Sequence, residues 1–147
     1  MSHVTAVDIQ ITDLEALARA ADALGLELVR DQKTFKWYGT HVGDYPLPAG
    51  FKKEDMGRCA HALRVRDNAG AYEVGVVERR DGKPGFQLLW DFWAGGRGLQ
   101  AKVGQDCSKL RAEYGAQVAI RQANKLGYRH NLTRRADGQV EKLSIYR

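Results

Sequence analysis

A chain of 147 residues with 23 Lys and Arg against 18 Asp and Glu, a net charge of +5, has the size of one domain spanning residues 1–147. Its 44% hydrophobic and 28% charged residues exclude a disordered polyelectrolyte, and no apolar run is long enough to span a bilayer. The opening MSHVTAVDIQ lacks the basic head and apolar stretch of a secretory signal, so a cytoplasmic location with no membrane partner is expected, where Cys59 and Cys107 stay free thiols.

Val7, Ile9 and Ile11 alternate with Asp8 and Gln10, which predicts a half-buried strand over Val4 to Ile11. Thr12-Asp13-Leu14-Glu15 reads as a capping box with Thr12 as the cap. Leu14, Leu17, Ala18, Ala21 and Leu24 then form one apolar helical face that stops at Gly25. Leu26 to Leu28 and Phe35 to Tyr38 predict a hairpin around Arg30-Asp31-Gln32-Lys33. Gly39 to Asp55 holds Pro46 and Pro48 and no sustained period, so a long loop is expected, of the kind that carries function or mobility.

Three strands follow as a meander, His61 to Arg66, Tyr72 to Arg79 and Phe86 to Trp93, separated by turn-forming residues. Along the last of them Phe86, Leu88, Trp90 and Phe92 point one way and Leu89 and Trp93 the other, the pattern of a central strand covered on both faces. Leu99 to Leu126 has helical spacing weakened by Gly104 and Gly115, which predicts two consecutive helices. Arg129 to Arg134 and Val140 to Tyr146 close the chain as a hairpin around Asp137-Gly138. Too few helices alternate with the strands for an all-parallel sheet. The expected class is α+β, a single antiparallel or mixed sheet with two main helical segments packed on one face.

Charge is uneven along this frame. Met1 to Gly50 carries a net −3, Phe51 to Gln100 a net +2, and Ala101 to Arg147 a net +6. A basic C-terminal third permits attraction to a polyanion. In the last hairpin, alternation sets Arg129, Asn131, Thr133 and Arg135 on one face with Lys142, Ser144 and Tyr146 beside them, a basic surface with an aromatic ring, as used for single-stranded nucleic acid.

Catalytic constellations are sparse. Cys59-x-His61 shares a strand face but finds no second ligand pair, and Met1-Ser2-His3 chelates only through a free terminal amine, so no metal and no cofactor is expected. Glu73 and Glu78 fall on opposite strand faces, and Glu54-Asp55 lies in the loop. Gly95-Gly96-Arg97-Gly98 lacks the Lys-Ser/Thr ending of a phosphate loop and reads better as a strand-to-helix turn than as an anion nest. No catalytic residue is assigned. Trp93 beside Arg97 is the expected protein contact, because Trp and Arg are enriched in interface hot spots.

The segment Ile11-Thr12-Asp13-Leu14-Glu15-Ala16-Leu17 leading to Leu24-Gly25, the strand end Trp90-Asp91-Phe92-Trp93 with its Gly-rich turn, the finish Leu126-Gly127-Tyr128 with Asp137-Gly138-Gln139-Val140, and the opening Met1-Ser2-His3 together resemble one group. It is the domain-of-unknown-function family numbered twelve fifty-seven, whose plastid members are called hypothetical chloroplast reading frame thirty-five. The resemblance spans nearly the whole chain except the Gly39 to Asp55 loop. It implies a bacterial, phage or plastid-related intracellular protein and carries no catalytic residues with it, since that family has no established reaction. The function expected from the whole is a small non-enzymatic accessory or adaptor protein that binds a protein partner through Trp93 and Arg97. The alternatives are a nucleic-acid-binding module using Arg129, Arg135, Lys142 and Tyr146, and, third, an enzyme of unknown reaction.

Overall fold

The structure, a computed structural model, describes residues 3–147. Met1 and Ser2, and with them the terminal amine of the Met1-Ser2-His3 chelate, lie outside the described residues. The fold is α+β. Strands β1 (Val4–Ile11), β2 (Leu26–Arg30), β3 (His61–Val65), β4 (Val74–Glu78) and β5 (Phe86–Asp91) form one sheet in the order β1-β5-β4-β3-β2. Every neighbouring pair is antiparallel. That order makes β1 and β2 the two edges, running in the same direction. Helix α1 (Leu14–Ala23) carries the chain between them across one face of the sheet.

Alternation decides which residues meet the helices. Val7, Ile11, Leu26, Leu63, Val74, Val76, Leu88 and Trp90 pack against Ala16, Leu17, Ala20 and Ala21 of α1. Leu110 and Tyr114 of α3 (Ser108–Lys125) belong to the same core. The expected pair of consecutive helices is present: α2 (Leu99–Val103) is separated from α3 by Gly104 and by Asp106 and Cys107, both at positive φ.

Residues of the opposite parity, Val4, Ala62, Val77 and Leu89, meet Phe35, Phe51 and Met56. The second face of the sheet is therefore covered by the long segment after β2. The Phe35 to Tyr38 strand expected from sequence does not form. Strand β2 takes β3 as its ladder partner, from Leu26 opposite Val65 to Arg30 opposite His61. The chain beyond it crosses the sheet face with one isolated bridge, Thr34 to Arg58. Phe35 acts as a plug instead: a Cβ on Gly75 of β4 would lie 2.4 Å from Cδ1 of its ring, so only glycine lets the ring settle on the strand.

Two further expectations shift. The middle strand is β4, and β5 stands between it and β1, still flanked on both sides and covered on both faces as its apolar pattern requires. The cap of α1 is Asp13, not Thr12: its Oδ1 accepts from the Ala16 N–H at 3.0 Å while Oδ2 accepts from Arg121 Nε at 2.8 Å. Glu15, the other half of the expected box, turns outward to Arg19 and Arg30. The Thr12 and Asp13 N–H groups donate to the hydroxyl of Tyr114 at 3.1 and 3.2 Å. Helix α3 thus closes the start of α1, a tertiary substitute for a local box.

The C-terminal hairpin, β6 (Arg129–Arg134) and β7 (Val140–Tyr146), is a separate two-stranded sheet seated on α3. Glu113 of α3 is almost fully buried and accepts from both terminal nitrogens of the Arg134 guanidinium. This two-pronged contact holds the hairpin in place.

Candidate functional site

Strand β5 ends on a carboxylate that has no contact with solvent. Asp91 Oδ1 accepts from the His3 N–H and the Trp93 N–H, both at 3.0 Å, and Oδ2 accepts from the Tyr38 N–H at 3.1 Å. One side chain thereby gathers the start of β1, the segment crossing the second face and the chain leaving β5. A buried carboxylate is tolerated because its lone pairs meet main-chain donors.

Aromatic rings collect around this clamp. His3, Tyr45 and Phe92 pack with centroids 5.2–5.3 Å apart, and His3 Nε2 lies 3.0 Å from Asp44. Tyr38 meets Trp93 edge-on at 6.1 Å. Tyr38 remains 43% exposed and Trp93 half-buried, so this pair forms an amphipathic rim over the ordered cluster. The Tyr45 contribution comes from the long loop, whose role the sequence left open.

The chain leaves Trp93 through an unusual turn. Ala94, Gly95, Gly96, Arg97 and Gly98 have φ of 53°, 63°, 63°, 55° and 106°, a left-handed run containing two residues with side chains. Left-handed backbone costs about 1–2 kcal/mol for each non-glycine residue. The turn is held from outside: the Tyr72 N–H donates to the Gly96 carbonyl at 2.9 Å, and Asn68 Nδ2 donates to the Arg97 carbonyl at 3.2 Å. At Gly98 a Cβ would fall 2.7 Å from that same Asn68 nitrogen. The N–H groups of Gly95 and Leu99 are taken up by carbonyls of Phe92, Gly95 and Gly96, which makes the segment a strand-to-helix turn. Arg97 emerges exposed with its guanidinium 5.8 Å from the Tyr72 ring.

The thiols are unsuited to nucleophilic work. Burial, with Glu73 nearby, pushes Cys59 up to about 11, and its Sγ donates to the Gln32 carbonyl. Burial pushes Cys107 up to about 12, and both cysteines are free. The His61 partner of Cys59 uses Nδ1 to accept the Asp31 N–H at 2.9 Å. Among the described residues no three His, Cys, Asp or Glu side chains are grouped to hold a metal, and no helix is long and apolar enough to cross a membrane.

Burial lowers the His61 pKa below its ordinary 6.5; Asp31 opposes this, and Lys33 and Arg30 add to it. A histidine depressed in the folded state favours folding fully above 6.5, and that advantage fades as the pH falls through the folded value. The denaturation midpoint of the wild type should therefore drop between pH 7.5 and 5. In His61→Gln, which keeps an acceptor and does not titrate, the drop should be visibly smaller; an equal drop in both proteins would assign it elsewhere.

The residues of the alternative site are placed on the hairpin. Arg129 stands opposite Tyr146 and Thr133 opposite Lys142, on one face as alternation required. Arg135 lies just past the end of β6, its N–H donating to the Gln139 carbonyl at 2.8 Å. The register shifts after Thr133, leaving Glu141 as the extra residue of β7, and the Arg135 guanidinium pairs with Asp137 of the turn at 3.4 Å. The chain matches no family model, no curated protein and no solved structure.

Proposed function

We propose that this protein is a non-enzymatic binding protein that engages a partner protein through the aromatic rim at the end of β5, with Trp93 and Tyr38 as anchors and Arg97 as the charged contact. The observation that carries the reading is the cost of the arrangement. A fully buried carboxylate and a left-handed turn with two non-glycine residues hold aromatic side chains that are left partly in water. Strain of this kind persists where the geometry serves something other than stability. Rigid aromatic residues beside an arginine suit a hot spot, because they bring large contact area with little rotamer entropy to lose. Membership of the family numbered twelve fifty-seven is part of the same proposal; the Trp90 to Gly98 stretch, one of the segments of the resemblance, supplies Trp93 and Arg97.

Affinity capture from the native cell tests it. A partner retained by the wild type should bind about 30-fold more weakly, near 2 kcal/mol, to Trp93→Ala or Arg97→Ala, while Arg129→Ala and Lys142→Ala leave its affinity unchanged. Retention indifferent to Trp93 and Arg97 would refute the assignment.

A further inference from the structure

The outer face of the C-terminal hairpin has no part in that reading, yet it is built consistently. Three cross-strand pairs share it: Arg129 with Tyr146, Asn131 with Ser144, and Thr133 with Lys142. Of the intervening pairs, Leu132 with Leu143 turns the other way and is half-buried, on the side that α3 supports, while His130 with Ile145 is exposed. The Glu113–Arg134 pair fixes the hairpin, so the outer face is presented on a settled support. None of its six residues is acidic. Arg134 and Arg135 have carboxylate partners, whereas Arg129 and Lys142 are in no ion pair among the described residues. Tyr146 is 49% exposed.

Two free cations therefore lie at opposite ends of the face, about 14 Å apart along strands that rise about 3.4 Å per residue. A ring stands at one end and neutral hydrogen-bonding side chains lie between. Charges that merely discourage strand addition need no exposed ring across from them. An exposed ring offers a base nothing while that base is stacked inside a duplex, so the combination fits an unpaired strand. We propose that this face binds single-stranded nucleic acid: Arg129 and Lys142 take backbone phosphates, Tyr146 stacks on a base, and Asn131, Thr133 and Ser144 hydrogen-bond to sugar, phosphate or base edges.

Fluorescence anisotropy with labelled 20-mers of thymidine and of uridine, and with a DNA duplex of equal length, over a range of salt, tests this on the full chain. Both single strands should bind more tightly than the duplex. The Arg129→Ala/Lys142→Ala variant should lower the salt slope by about 1–2, as expected for two lost phosphate contacts at about 0.7 each. Tyr146→Ala should weaken binding about 5- to 150-fold at an unchanged salt slope, and Tyr146→Phe should restore it. These side chains are exposed, so circular dichroism and melting should match the wild type and separate a binding loss from a folding loss. Absence of binding to either single strand at low salt, or binding that prefers the duplex and ignores Tyr146, would overturn the proposal. So would a face whose triple loss of Arg129, Lys142 and Tyr146 abolishes only capture of a protein partner.

Discussion

Replacing Asp91 by Ala is expected to destabilise the protein by about 3–4 kcal/mol, because three main-chain N–H groups lose their acceptor at once and each buried orphan costs about 1–3 kcal/mol. A typical domain has only about 5–15 kcal/mol in hand. The loss should be local in its first effect. The segments at His3, Tyr38 and Trp93 are released together, so the near-ultraviolet circular dichroism of the tyrosine and tryptophan rings should fade at denaturant concentrations where the far-ultraviolet signal persists. Asp91→Asn is the sharper variant. It keeps an acceptor for His3 and Trp93 but turns an amide N–H toward that of Tyr38, and should cost less than Ala while still disturbing the rim. A midpoint unchanged in both variants would remove the clamp from the account.

Trp90→Ala is the second large effect, about 3–5 kcal/mol. Trp90 is 1% exposed and is the largest fully buried side chain, on the face where β5 meets the helical layer. Among the described residues its Nε1 has no hydrogen-bond partner, so Trp90→Phe, which removes that orphan donor along with part of the volume, should cost clearly less than the volume change alone suggests. Denaturant titration reads both. An Ala variant with the wild-type midpoint and slope would contradict the placement of β5 between the two packed layers.

The parity of Phe86 to Trp93 was legible because a strand's side chains alternate and this strand is apolar on both faces; Leu88 and Trp90 do meet the helices, and Leu89 the opposite layer. The terminal hairpin was legible to its bounds, since its turn residues and alternation agree. Partners far apart in sequence were not. Nothing local says that Tyr114 will take the Thr12 and Asp13 N–H groups or that Arg121 will hold the Asp13 carboxylate, the contacts that accompany a cap at Asp13 in place of Thr12. The Phe35 segment looks like a strand from its aromatic spacing, but its ring is drawn onto the face of β4 at Gly75, which takes the segment across the sheet and away from the edge that β2 leaves open. The charge of Asp91, set between Trp90 and Phe92 on a doubly apolar strand, was the one visible hint of the clamp; its three donors come from segments up to 88 residues away. The same limit hid the Glu113–Arg134 pair and the bulge at Glu141 of β7.

The rim itself is tested most directly by a photoreactive amino acid introduced in place of Tyr38, compared with the same group in place of exposed Ala112 on α3, and illuminated in the native cell. A discrete protein adduct should form from position 38, disappear when Trp93→Ala is added, and be missing from position 112. Equal adducts from both positions, or an adduct at position 38 that survives the loss of Trp93, would contradict the account.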